Sequence, residues 1–421
     1  MRRLREIFSL ETKSLVRSKA LAMLTGASAL WMLFFPYLVK GDGTAEGARE
    51  LYVHFSLGGV FVLLVVTLLA SATGSLARER AEKRLQLTMV RPVRYAAIVL
   101  GKVAAHVALG AFVLAVACAI LALKTDCARP CSHVLSPLLP SPREEAQAAY
   151  ADVMKDPHTP EAVRRAKKDV VLRLLENRAI DRYQVVATNA TASWAFDPAA
   201  LARRPSSLAV RMRFTNQYEM REEVRGEFSI GAFRGGVSNM TQAVVETPLR
   251  AVGDASASST LTFRNDGRSS LMLRPRRDIN LLLPADSFAA NLVRVYVELV
   301  AILALVVSIG LFLSAGLGRP VALFAAFVLL VVSEMSPSVL QQYPDELETD
   351  RIDRIGLAIT RTAAEVVRPL SAVSPIEALA KDECVEPSST LRLVLVDLLA
   401  VPLLLSLAGA LVLPRKQDDM T

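Results

Sequence analysis

Six long apolar runs constrain this chain more than any other feature. They are Ala20–Val39, Phe55–Leu76, Ala96–Leu123, Asn291–Leu317, Pro320–Ser333 and Leu391–Leu413. A helix needs about 20 apolar residues to cross the hydrocarbon core of a bilayer. In lipid every backbone polar group must be satisfied within the structure, so such runs read as spanning helices. The fifth is the shortest. The composition agrees: 52% of residues are hydrophobic and the mean hydropathy is +0.36, too apolar for a soluble chain of two or three domains. The first run reads as an uncleaved signal-anchor. Its charged lead is long, Trp31, Phe34 and Phe35 interrupt it, and no small-x-small cleavage site follows.

The net charge of +8 admits nucleic acid, an acidic membrane surface, or loops that obey the positive-inside rule. Its distribution favours the last. Arg2, Arg3, Arg5, Lys13, Arg17 and Lys19 precede the first run; Arg78, Arg80, Lys83, Arg84, Arg91 and Arg94 follow the second. Arg319 sits between the fourth and fifth, and Arg415 and Lys416 follow the sixth. Both termini are therefore expected in the cytoplasm of a plasma membrane of bacterial inner-membrane type. Segments 124–290 and 336–390 are expected outside.

The expected domain plan follows: 1–19 an amphipathic interfacial helix, 20–123 spans one to three with a cytoplasmic loop 77–95, and 124–290 an outer insert. Then come 291–335 as spans four and five, 336–390 as an outer amphipathic helical segment, 391–413 as span six and 414–421 as a cytoplasmic tail. Apolar Leu4, Ile7, Phe8, Leu15 and Val16 share a stripe opposite basic residues. That helix is either a docking element on the lipid surface or a plain lead-in to the anchor. The insert reads as α+β. Its part 141–180 is helical, broken at Asp156-Pro157 and restarted after Thr159-Pro160. Its part 190–285 is β-rich and sandwich-like, with alternation in 208–214, 227–230 and 260–263 and a last strand at 279–283. Asn265-Asp266-Gly267 reads as a hairpin turn. In 336–390, Ile352, Ile355, Ile359, Ala363 and Val366 recur at helical spacing among charges.

Four cysteines are present. Cys118 lies within the third run and reads as packing. Cys127 and Cys131 can close a small loop in an oxidising compartment, or either can pair with Cys384. A structural metal site needs four ligands, and His133 beside this one cysteine pair does not supply them, so no metal is expected.

The segment between the second and third runs carries the functional signal. Glu79 and Glu82 open a short charged helix, Leu85, Leu87 and Met89 are its apolar residues, and Leu85 and Met89 share a face. Pro92 and Val93 then break it, and Gly101-Lys102 lies at the start of the next span. Read alone, it is either a connector or a surface for a soluble partner. The segment is similar to one in ABC-2 type transporter permeases, Glu-x-x-x-Gly-Thr-Leu-x-x-Leu-Leu-x-x-Pro-Val-x-Arg followed by Gly-Lys. Glu79, Leu85, Pro92, Val93, Gly101 and Lys102 match at the family spacing. Lys83-Arg84 stands in place of Gly-Thr, Thr88-Met89 in place of Leu-Leu, and Tyr95 in place of Arg. The resemblance implies a six-helix permease whose loop docks on a separate ABC ATPase subunit, in a homodimer or a heterodimer with a second permease. It covers roughly the membrane part; the large insert lies outside the family's minimal plan.

No Gly-x-x-x-x-Gly-Lys-[Ser/Thr] occurs, so ATP hydrolysis is expected in the partner and the chain is not expected to be an enzyme. No cofactor and no nucleic acid are expected; lipid is. His106, Glu298 and Asp397 are ionisable residues in or near spans, candidates for a path through the membrane. Gly310, Ser314 and Gly318 form a small-residue row that serves either packing within the chain or a dimer seam. Trp194, Phe196, Phe214 and Tyr218 read as core more readily than as a sugar-stacking surface. Two other readings stand beside the permease: a non-transporting transmitter of ATP-driven motion to the outer domain, and a membrane-anchored glycan-binding protein.

Overall fold

The computed structural model describes residues 2–17, 19–38, 45–82, 95–125, 127, 129–157, 159–166, 168–180, 182–201, 207–216, 222–241, 244–252, 259–342 and 375–418. The chain divides into two compact units, Met1–Pro130 with Asp286–Thr421, and Cys131–Ala285.

The first unit is helical. It contains α1 (Arg2–Arg17), α2 (Ala20–Leu38), α3 (Ala45–Ala81) and α4 (Tyr95–Lys124). Among the described residues, four helices are long and apolar enough to cross a membrane: Gly47–Glu79, Tyr95–Lys124, Phe288–Gly316 and Pro387–Leu411. The apolar helix Arg319–Val331 is shorter, and α1 and α2 form a bent pair. Lys19, at a left-handed φ of 57°, stands between the pair. The chain is therefore compatible with insertion in a membrane through at least these four helices.

Packing centres on the helix Phe288–Gly316. Its Leu299, Leu303, Val306 and Val307 join Leu57, Leu64 and Leu68 of α3 and Val103, Val113 and Leu114 of α4 in one buried cluster. Small residues set the spacing. A Cβ at Gly110 would lie 2.7 Å from Leu68 and 3.1 Å from Leu303, and one at Gly310 would lie 3.0 Å from Leu69. Gly310 and buried Ser314 thus face or sit within this chain's own core, whereas a Cβ at Gly318 would meet nothing within 4 Å; the first two members of the row serve packing within the chain. Tyr296 Oη adds a hydrogen bond to the Ala111 carbonyl (3.2 Å).

The second unit begins with helices α5 (Pro142–Lys155), α6 (Glu161–Arg165) and α7 (Lys168–Ile180). Ser141 caps α5 reciprocally: its hydroxyl accepts from Glu144 N and its N–H donates to the Glu144 carboxylate. The rest is antiparallel sheet. The strands are β1 (Pro130–Leu135), β2 (Gln184–Val186), β3 (Thr191–Ala195), β4 (Leu208–Arg213), β5 (Thr215–Asn216), β6 (Glu223–Ile230), β7 (Phe233–Met240), β8 (Val244–Ala251), β9 (Thr260–Asn265), β10 (Leu271–Leu273) and β11 (Ile279–Ser287). Eight form one curled sheet in the order β1-β11-β4-β8-β7-β6-β9-β3; β2, β10 and β5 form a second, small one. The expectation of a sandwich is corrected in this sense: one large sheet bends around most of the core. Alternate residues of its strands supply that core, with Phe214, Phe228 and Phe263 in mutual ring contact at 4.8–6.4 Å.

A second correction concerns Asn265-Asp266-Gly267. β9 and β10, on either side, do not pair with each other; β9 belongs to the large sheet and β10 to the small one. Asn265 is fully buried. Its amide group donates to the carbonyls of Val186, Ala187 and Ser269, and its carbonyl oxygen accepts from Gly267 N. The turn passes the chain between sheets instead of closing a hairpin. Trp194, Phe196 and Phe214 are buried core residues, so they offer no stacking surface; Tyr218 lies outside the described residues.

Candidate functional site

The segment 83–94 that carries the family resemblance, with Leu85, Leu87, Met89, Pro92 and Val93, lies outside the described residues. The helices on either side of it are described, and side chains within them touch. α3 runs through Glu79 into the segment and α4 leaves it through Gly101 and Lys102. Lys102 is buried, and its ammonium group donates to three oxygens: Glu79 Oε1 at 2.8 Å, Ser75 Oγ at 2.7 Å and Glu11 Oε2 at 2.9 Å. Ser75 Oγ donates in turn to the other Glu11 oxygen at 2.8 Å. An ammonium group has three hydrogens, and here each has an acceptor.

Helical spacing explains the constellation. Ser71, Ser75 and Glu79 are four residues apart on α3, and Lys102 and His106 are four apart on α4, so each set lies on one face. The third element is α1. A Cβ added at Gly101 would lie 2.7 Å from Ile7 Cγ2. The bare backbone at Gly101 therefore lets α1 lie close enough for Glu11 to reach Lys102. His106 extends the network inward. It is fully buried; Nδ1 is 2.8 Å from the Lys102 carbonyl and Nε2 is 3.1 Å from Ser71 Oγ. The carbonyl can only accept, so Nδ1 donates to it, while Nε2 and the Ser71 hydroxyl share the second hydrogen bond.

Two carboxylates and one ammonium with matched hydrogen bonds form a charge cluster around the buried lysine. A buried ion pair is costly to break one-sidedly because it leaves an uncompensated charge. The cluster thus ties α1, α3 and α4 together, about one turn before the 83–94 segment on α3 and about two turns after it on α4.

No known protein family, curated protein or solved structure matches the chain.

The remaining sequence candidates fall elsewhere. Glu82 is exposed at the end of α3. Glu298 is buried on the helix Phe288–Gly316 and accepts from Thr390 Oγ1 at 2.8 Å and Ser389 Oγ at 3.2 Å. Two hydroxyl donors give this acid a structural job in joining two helices. Arg294 does not pair with Glu298 as the one-turn spacing suggests; it binds Asp286 and the Val385 carbonyl. Asp397 is buried in a π-helical turn, Val394–Ala400, and its Oδ1 has no hydrogen-bond partner. Such turns recur at functional sites. The three candidates for a membrane path therefore do not form one set: His106 belongs to the Lys102 network, Glu298 is bonded to hydroxyls, and Asp397 has Arg392 as a charged neighbour.

The proposed Cys127–Cys131 bridge is corrected. Cys127 is a free thiol donating to the Ala122 carbonyl, and Cys118 is also free. Cys131 and Cys384 are the disulfide-bonded cysteines. Asn291 brackets Cys384 by donating to the Glu383 carbonyl and accepting from Val385 N, both at 2.8 Å. Among the described residues no group of three metal-ligating side chains occurs.

Glu11, Ser71 and Ser75 are members that sequence reasoning missed. Glu11 lies on a helix judged by its apolar stripe, where an acid reads as part of the solvated face. The signal was the four-residue spacing of Ser71, Ser75 and Glu79 opposite Lys102, which has meaning only once α3 and α4 are paired.

Proposed function

We propose that this chain is the membrane-spanning subunit of an ABC-2 type transporter, with the 83–94 loop as the element that docks on a separate ATPase subunit. The observation that carries the reading is the tie at the loop's two feet. Glu79 and Gly101-Lys102, which match the family's loop, meet at one buried cluster with α1. A loop anchored this way can pass a push to three helices at once.

The six-helix layout belongs to this proposal, with α2 and the helix Arg319–Gln342 as the two further spans. So does the orientation. The positive-inside rule puts the loop and both termini in the cytoplasm. Disulfide-bonded Cys131 and Cys384 suit an oxidising compartment for the large insert and for the segment before the last span. ATP-driven closure of the ATPase pair would move the loop and reorient the spans, exporting a substrate from a homodimer or a heterodimer.

A second reading is favoured by one observation. The unit Cys131–Ala285 has its own buried core and helical layer. In that reading it is an outer domain worked by ATP-driven motion, without transport.

The test is pull-down of a co-expressed ATPase, with its hydrolysis rate in reconstituted membranes. Buried apolar anchors carry much of an interface's energy, so Leu85→Asp and Met89→Asp should each abolish binding or stimulation. Pro92→Ala should leave the ATPase bound but weaken coupling. If both Asp variants bind and stimulate like the parent, the loop is not the docking element.

A further inference from the structure

Three side chains share Lys102's charge cluster unequally. The Lys102 side chain is 3% exposed, Glu11 14% and Glu79 32%. Glu11 is also held by Ser75, whereas Glu79 is held by Lys102. One lysine needs one carboxylate for charge balance, so the second is the more readily released. Solvent at Glu79 lowers the cost of that release, because a half-exposed carboxylate keeps part of its hydration.

We propose that the cluster is a latch with one permanent and one releasable half. Glu11, Ser75 and Lys102 hold α1 against α4, and the Glu79–Lys102 bond between α3 and α4 opens and closes. α1 is then a working part of the α3–α4 junction and not only a lipid anchor. Release exchanges an ion pair for a hydrated Glu79 and leaves Lys102 neutralised by Glu11. No proton transfer is needed. The latch rests on the loop reading above for its purpose, but its mechanics belong to this chain alone.

The experiment is amide exchange over residues 75–82 in the purified chain, in nanodiscs, without any ATPase. Glu79→Gln should raise exchange there while leaving thermal stability near that of the parent. Glu11→Gln should lower thermal stability more than Glu79→Gln does. The exchanged pair Glu11→Lys with Lys102→Glu keeps the permanent half but sets residue 102 against Glu79. It should fold like the parent and show raised exchange at 75–82. Adding Glu79→Lys to that pair should restore protection, which loss of packing alone does not predict. Unchanged exchange in Glu79→Gln overturns the latch even if the exchanged pair fails to fold. A latch that behaves as expected while no ATPase responds to the loop variants would instead count against the transporter reading.

Discussion

Asn265 shows how much one side chain can decide. Its buried amide feeds three carbonyls from two segments, Val186-Ala187 and Ser269. The Asn-Asp-Gly triplet is legible as a turn, but hairpin or crossover depends on which strands lie beside it, and the local residues do not encode that. Asn265→Ala should cost about 1–3 kcal/mol, since the carbonyls lose their donors in a dry setting. Asn265→Asp should cost more, because carboxylate oxygens then face carbonyl oxygens. With Trp31→Phe, Trp194 is the one tryptophan left, and it sits in this core. Its fluorescence through thermal unfolding reads both variants. Equal stability of Ala and Asp would refute the donor argument. Lys102 teaches the same lesson: its type and spacing were legible, but its partner Glu11, 91 residues away, was not.

At the scale of elements, apolar helices announce themselves because lipid and core both demand apolar length. Alternation at 208–214, 227–230 and 260–263 and the apolar run at 279–283 made parts of the strands 208–213, 223–230, 260–265 and 279–287 legible. β7 and β8 were not, because Gly235 and Gly236 interrupt one and Pro248 the other. Each has a tertiary reason. A Cβ at Gly235 would lie 2.8 Å from the Pro248 carbonyl oxygen, so the glycine permits close approach of the strands. Pro248 pairs with Ala209 of β4, while the β7–β8 ladder is formed at Phe233–Ala251 and Arg234–Arg250. The proline thus lies outside the paired stretch of β7 and β8. Helix packing yields its own prediction. Gly110→Val should force α3 and the helix Phe288–Gly316 away from α4 and cost about 1–3 kcal/mol. Gly110→Ala should cost less, because Leu68 and Leu303 meet it with flexible ends. Gly26→Val, where a Cβ meets nothing within 4 Å, should be neutral. Melting temperatures in one detergent decide; an equal loss at Gly26 and Gly110 would sink the close-packing account.

For the whole molecule the question is which side of the membrane each segment occupies. With Cys118 and Cys127 changed to serine, single cysteines at Thr88 and Asp418 should resist a membrane-impermeant thiol reagent, and those at Ser206 and Asp350 should react. Reaction at Asp350 but not at Ser206 would break the six-span layout. The sequence by itself determined that the chain has apolar helices of membrane-crossing length and a β-rich insert, and it carries a segment that resembles one in ABC-2 type permeases, because hydropathy, alternation and local spacing are properties of neighbouring residues. Tertiary structure alone decided that eight strands curl into one sheet, that Cys131 and Cys384 are oxidised while Cys127 is free, and that Glu11, Glu79 and Lys102 converge. Those outcomes depend on which distant segments are brought together. A buried lysine can recruit any carboxylate within reach, so burial and helix packing select the partner and spacing along the chain does not.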